Sequence, residues 1–321
     1  MVKKLLFIYD FKELKRMDTT GKWVAIAKLL HTGSWEGSEL SEGPIKMEEG
    51  LAELISSRGF SLVESETAML TPEEEKHYGA WHRLGLASRH LSTIVASQIR
   101  RYLFPIGLLS NCNGLMGMLA GLQRSGSDWK PLRVGLVYCD AHGDFNTPET
   151  TLSGMLGGMP VAISTGLCLS RLRMECGLDP ALPAKYVTMV GLRDLDPLER
   201  ELMDRTGVGY ITVDEVKKLS PSIDLEVERL STLVDLIYVH VDLDVLNPEE
   251  VPGHNLKVEG GPSSSEMADA LTHIFEHPQT AAFGVASYPA GRDPDGKTLR
   301  AVHNLIGGVI EGLKNRGRGQ S

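Results

Sequence analysis

Short apolar runs rich in Val, Ile and Leu recur along the chain at Leu5–Tyr9, Phe60–Val63, Pro105–Leu109, Val134–Cys139, Tyr186–Val190, Gly209–Val213, Leu236–Asp242 and Ala281–Ser287. Amphipathic stretches with a helical period separate most of them, so strands are expected to alternate with helices. Within the runs apolar character is continuous rather than alternating. That pattern marks strands covered on both faces, and hence a parallel sheet between two helical layers. Predicted helices are Arg83–Tyr102, Asn113–Arg124, Pro197–Arg205, Ser264–Glu276 and Leu299–Lys314, several opened by Ser, Asn or Pro. The segment 11–49 mixes Gly, Ser, Trp and charge without a clear period. It reads as an irregular surface excursion without chemistry.

Composition narrows the class. At 42% hydrophobic and 23% charged, 321 residues can bury a large core, which excludes disorder and disulfide-stapled miniproteins. No linker or repeat divides the chain, so one α/β domain over 1–321 suffices. The formal net charge of -9 offers no basic footprint for phosphates, which argues against nucleic acid or an anionic membrane surface and for a small-molecule ligand. Four cysteines without a CxxC pair point to a reducing, cytoplasmic setting. The start MVKKLLFIYDF is cut by Asp10, Lys12 and Glu13, short of the ~20 residues of a membrane span. It is expected to be a first strand rather than a leader.

In a parallel open sheet, ligands bind beyond the carboxyl ends of the strands. That rule selects Ser110 to Asn113, Asp140 to Asp144, Arg193 to Asp196, and Asp242 to Asp244. Asp140, His142 and Asp144 alternate after a buried run, which aims them to one side if the chain stays extended. Alone, such a triplet is equally a solvated strand end with an Asx-turn. Asp242 and Asp244 repeat the pattern after a second buried run. Burying carboxylates without cations costs several kcal/mol each, so two divalent ions are the economical explanation for both clusters. Oxygen-rich ligation with one imidazole suits Mn²⁺ before Zn²⁺, and two ions ~3.5–4 Å apart would activate a water for hydrolysis. No P-loop, GxGxxG after a strand, GxSxG or HExxH is present, which leaves nucleotide transfer, hydride transfer, serine hydrolysis and zincin-type proteolysis without support.

Together, DAHGDFNTPETTLSGMLGGMPVA, GLRDLDPLE and HVDLDVLNPEEVPG resemble the ureohydrolase superfamily of arginases, agmatinases and related amidinohydrolases, from about Pro105 onward. The resemblance implies a three-layer α/β/α domain around an eight-stranded parallel sheet, a dinuclear manganese centre with a bridging hydroxide, and a trimer or hexamer. Residue by residue it assigns Asp140, His142, Asp144, Asp242 and Asp244 to five of six metal-ligand positions, with Asp144 bridging the ions. The sixth, usually histidine, is Cys112; a thiolate softens the site toward Zn²⁺. Asn146, Thr151 and Ser153 match groups that bind a substrate α-carboxylate, and Asp196 with Glu199 those that meet its α-amino group, so the substrate is expected to carry an amino-acid head group.

Two groups expected of an arginase differ. Gly157 stands where the proton-shuttle histidine is usual, and Ala286 where a glutamate holds the guanidinium. Losing that carboxylate should weaken transition-state binding of a charged guanidinium by ~2–4 kcal/mol. This favours a less basic guanidine, and the combination is similar to the Nω-hydroxy-arginine amidinohydrolases, whose products are hydroxyurea and ornithine. His254, just past the Asp244 strand end, is the candidate replacement for the shuttle. His240, in phase with Asp242 and Asp244, reads as a satisfied strand histidine, with a supporting partner of the metal ligands as the alternative. The competing readings are a catalytically silent homologue and an enzyme for agmatine or guanidinobutyrate.

Overall fold

The computed structural model describes residues 22–33, 39–126 and 130–316. Its strands are β1 (Trp23–Leu29), β2 (Ser61–Ala68), β3 (Phe104–Leu109), β4 (Val134–Cys139), β5 (Val187–Val190), β6 (Gly209–Ile211), β7 (Leu236–Asp242) and β8 (Thr280–Ala286). All eight join one sheet in the order β2-β1-β3-β8-β7-β4-β5-β6, and every neighbouring pair is parallel. Successive residues along the central strands enter opposite cores. Val137 and Cys139 pack with helices Ser222–Leu233, Ser264–Glu276 and Lys297–Asn315. Leu136 and Tyr138 pack with helices Ala80–Arg100 and Leu115–Arg124. This is the three-layer α/β/α arrangement expected from uninterrupted apolar runs.

Two expectations need correction. The segment 11–49 is not an irregular excursion, because it contains β1 and the helix Glu39–Met47. The strand WVAIAKL is wholly internal to the sheet, pairing with β2 and β3. Its helix carries Gly43 and Pro44 in the sequence ELSEGPIKM, so local propensity argues against it. Packing overrides propensity here, since Gly43 lies against the Tyr288 carbonyl where a Cβ would collide. The expected strand Leu5–Tyr9 lies outside the described residues. The second correction is at Gly209–Val213, where β6 stops at Ile211 and Thr212 caps a short helix, Val213–Lys217. Thr212 and Glu215 exchange side-chain to backbone bonds there in a capping box.

The order of the central strands places the carboxyl ends of β3, β8, β7 and β4 side by side. Beyond β8 the chain turns sharply, with Ser287 at φ +70, toward the last helix. Asp293 ends this turn. Its carboxylate accepts the N–H groups of Thr298 (3.0 Å) and Leu299 (2.9 Å) and the Tyr288 hydroxyl (2.9 Å). Among the described residues no helix is long and apolar enough to cross a membrane.

Burial alone would raise the Asp293 pKa, but the bonds from Thr298, Leu299 and Tyr288 outweigh it and hold the group below the usual Asp value. Its stabilisation is therefore complete above the unfolded-state pKa and fades as pH falls through the lower, folded-state one. Asp293→Ala is expected to lower unfolding free energy by about 1–2 kcal/mol at neutral pH, as for other lost helix caps. The gap to wild type should narrow below about pH 4. Denaturant melts that coincide at pH 7 would refute this role.

Candidate metal centre

β4 ends at Cys139, and the chain beyond it does not stay extended. Asp144 takes up the left-handed conformation at φ +47, and His142 forms an isolated bridge to Asp194. The positions of Asp140, His142 and Asp144 are thus set by a bend at Ala141 and the left-handed backbone of Asp144, not by strand alternation. Asp242 closes β7, while Asp244 sits in a single 3-10 turn, Leu243–Val245. The Asp244 N–H donates to Asp242 Oδ1 at 3.0 Å, which supplies the reason for the turn. Cys112 opens the next such turn after β3, where the Asn111 side chain accepts the N–H of Asn113 at 3.1 Å.

These side chains form one buried cluster. Cys112 Sγ donates to Asp242 Oδ2 at 2.7 Å and lies 3.8 Å from Asp140 Oδ2. Ser287 Oγ donates to the same Asp242 Oδ2 at 2.6 Å. His142 Nδ1 stands 3.3 Å from Asp140 Oδ1 and 3.1 Å from Asp244 Oδ2. Asp140 Oδ1 also accepts the His142 N–H at 2.7 Å, and Asp244 Oδ1 the Ala141 N–H at 3.2 Å. Asp144 Oδ2 accepts the Tyr138 hydroxyl at 2.5 Å.

The charges are in conflict as they stand. Burial first, then the neighbouring Asp140 carboxylate, pushes Asp144 and Asp244 well above the ordinary carboxylate range. Burial and the Asp242 carboxylate do the same to the Cys112 thiol. Burial would discharge His142, yet its bonds to Asp140 and Asp244 prevail and carry its pKa to about 12. The same imidazole more than offsets burial at Asp140 and keeps it low. Without other positive charge beside the imidazolium, the set is driven to keep protons on Asp144, Asp244 and Cys112, and divalent cations are what such a donor set can hold in their place.

The donor geometry fits that requirement. Among the described residues, ligand atoms lie within 4.8 Å of one another in three groups, Cys112-Asp140-Asp242, Asp140-His142-Asp244 and Asp242-Asp244-His254. Asp140, Asp242 and Asp244 are each common to two groups, whereas Asp144 belongs to none. Each of Asp140, Asp242 and Asp244 is thus placed to share its carboxylate between two donor groups, while the expected bridging residue Asp144 stands beside them. His254 is 8% exposed, not the solvent-facing loop histidine that its position alone would suggest. Its Nδ1 accepts the N–H of Leu256 at 3.2 Å, which puts the proton on Nε2, 3.6 Å from Asp242 Oδ1.

The residues matched to a substrate head group divide into two sets. Asn146 Nδ2 donates to Asp196 Oδ2 at 3.1 Å, and both are only partly or barely exposed. Glu199 is buried and acts as a brace, accepting the N–H of Phe145 (2.8 Å) and of Asp196 (3.2 Å). Thr151 Oγ1 and Ser153 Oγ lie 3.4 Å apart on an accessible loop, where each also accepts a nearby backbone N–H. Two contributors escaped the sequence reading. Ser287 closes the run Ala281–Ser287 as its one polar residue and stands just past the observed end of β8, so the strand-end rule would have found it. Tyr138 lies inside the β4 run and is indistinguishable there from core.

Comparison with known proteins gives a consistent family. The model of the arginase family matches residues 115–310. An arginase of Brevibacillus brevis is 34% identical over 182 residues, 56% of this chain and 59% of that protein. The chain thus spans about three fifths of the length of that curated relative. The crystal structure of Bacillus subtilis arginase superposes with a TM-score of 0.78 at 23% identity, over 90% of this chain and 98% of that one. The agmatine ureohydrolase of Thermoplasma volcanium follows at 0.64 and 17%, over 98% and 94%.

Because ligands must be deprotonated, Asp144, Asp244, Cys112 and the His142 imidazolium would shed protons on ligating metal. Mn²⁺ uptake is expected to release protons and to tighten between about pH 6 and about pH 8. Calorimetric titration in buffers of different ionisation enthalpy measures that release, and pH-independent affinity with no released protons would contradict the ligand set.

Proposed function

As the chain belongs to the arginase family, matched across residues 115–310, we propose that it is a metal-dependent amidinohydrolase that cleaves a C–N bond of a guanidine-type substrate. The observation that carries this reading is the set of overlapping donor groups at adjoining strand ends, supplied by Cys112, Asp140, His142, Asp242 and Asp244, with His254 beside Asp242. Asp144 adjoins them through its turn. Two Mn²⁺ ions are the proposed occupants, with Zn²⁺ favoured more than usual by the Cys112 thiol. When bound, the ions would lower the pKa of water and supply the nucleophile for a guanidine carbon.

The chain's own residues then have separable tasks. Asn146, Thr151, Ser153 and Asp196 line the loops at one side and are suited to a carboxylate and an ammonium, which are the head group of an amino acid. Glu199 ties the Asp144 turn to the helix Pro197–Asp204 and keeps those loops in register. Burial keeps His254 neutral at physiological pH despite the nearby Asp242. Its Nε2–H is the donor proposed to pass a proton in place of the histidine missing at 157.

The finer assignment is a modified arginine, of which Nω-hydroxy-arginine is the proposed example. Gly157 supports it, because a Cβ there would meet nothing within 4 Å and the space is open to a larger head on the guanidine. Ala286 supports it as well, being a buried methyl paired across the sheet with Asp242 where a carboxylate would be needed for an unmodified guanidinium.

Manganese-loaded protein assayed on Nω-hydroxy-arginine, arginine and agmatine is expected to favour the first and to release ornithine from it. Faster turnover of arginine would overturn the finer assignment, a preference for agmatine would remove the head-group clamp, and metal binding without turnover of any of them would favour the silent homologue. His254→Ala should lower kcat by about 10²-fold or more and change its pH profile, as for other lost proton-transfer groups. An unaltered rate and profile would take His254 out of the mechanism.

A further inference from the structure

Beneath the acidic cluster, on the face of the sheet that packs against helices Ala80–Arg100 and Leu115–Arg124, lies a group of polar aromatic side chains that the reaction does not itself require. Tyr138 on β4 is directly in register with His240 on β7. Their rings stack at 5.2 Å with an interplanar angle of 11°. Two residues back along β7, the Tyr238 hydroxyl meets His240 Nδ1 at 2.9 Å. All three are fully buried. On the neighbouring β8, Gly284 pairs with His240, and a Cβ at that glycine would overlap the Tyr238 hydroxyl. Three strands therefore hold two phenols and an imidazole in a single arrangement.

The outlet of this stack is the Tyr138 hydroxyl, which donates to Asp144 Oδ2 at 2.5 Å. Asp144 has an unusual backbone, at φ +47, and its carbonyl accepts the N–H groups of Val161 (3.0 Å) and Ala162 (3.3 Å). Its main chain is fixed by the start of the short helix Pro160–Ser164, and its carboxylate by Tyr138. An apolar ring at 138 would fill the same core but leave the carboxylate without that donor. A buried phenol without a partner would in turn cost ~1–3 kcal/mol, so the pairing matters to both groups.

We propose that Tyr138 is the positioning residue for Asp144, with Tyr238 and His240 holding its ring so that the carboxylate is presented to the metal centre in one orientation. The inference rests on the metal-centre reading and adds to it. Asp144, outside the three compact donor groups, is brought into the site by a bond from below rather than by the other ligands. Outer hydrogen-bond partners of this kind typically change metal affinity by ~10–100-fold when removed.

The test uses the full chain and Mn²⁺ alone. Wild type, Tyr138→Phe and Tyr238→Phe are titrated with Mn²⁺ by calorimetry, and the bound ion is read by electron paramagnetic resonance, with metal-free melting as a control for folding. Tyr138→Phe is expected to lose about 10-fold or more in affinity for at least one ion, with a changed resonance line shape. Tyr238→Phe, which touches Asp144 only through the stack, should move both readouts in the same direction by less. Tyr138→Phe matching wild type in affinity and line shape would overturn the proposal. If that variant fails to fold, an unchanged Tyr238→Phe would overturn it instead. Wild type that binds no Mn²⁺ would be a failure of the metal reading itself, seen before any substitution is made.

Discussion

Mutual repulsion among buried carboxylates is the constraint on which the centre of this molecule is built. Asp140, Asp144, Asp242 and Asp244 are each under a tenth exposed, and their nearest oxygens share the same few donors. A protein interior tolerates such a set only when opposing charge and directed hydrogen bonds come with it. Here they come from His142, from main-chain N–H groups of residues 141, 142 and 244, and from the hydroxyls of Tyr138 and Ser287. Those donors arise from three neighbouring strands, β4, β7 and β8, so the sheet order and the site chemistry are one requirement.

The loops beyond the strands are tied down by the same economy. Arg193, at the end of β5, donates to the carbonyls of Gly191, Asp244, Val258 and Glu259, holding the Asp244 turn against the segment that follows His254. Ser110 and Asn111 donate to the carbonyls of His31 and Thr32, so the turn bearing Cys112 is anchored to the end of β1. Rigid attachment matters because ligands misplaced by an ångström bind poorly.

Much of this was legible beforehand. Continuous apolar runs revealed a doubly covered parallel sheet, and Ser264–Glu276 was located to the residue because its capping box is local chemistry. The acidic positions were readable because carboxylates beside buried strands are costly and therefore rare. What escaped depended on tertiary surroundings. The helix Glu39–Met47 has poor intrinsic propensity, and β1 is a short run whose burial is decided by its neighbours. His254 could be named but not weighed, since only the folded loop shows it pressed toward Asp242. Tyr138 was hidden for the opposite reason, as a residue that looks like core and is core, except for one oxygen.

The donors gathered at the site come from residues 112, 138 to 144, 242 to 244, 254 and 287, and β8 lies between β3 and β7 although it is the last strand among the described residues. Contacts this distant in sequence close long loops and form late. The acidic turns of β4 and β7 meet through direct pairing of those two strands, whereas the Cys112 turn of β3 reaches them only once β8 has inserted between β3 and β7. The full donor set, with the Cys112 thiol and the Ser287 hydroxyl beside Asp242, is therefore complete only when the sheet is closed across β8.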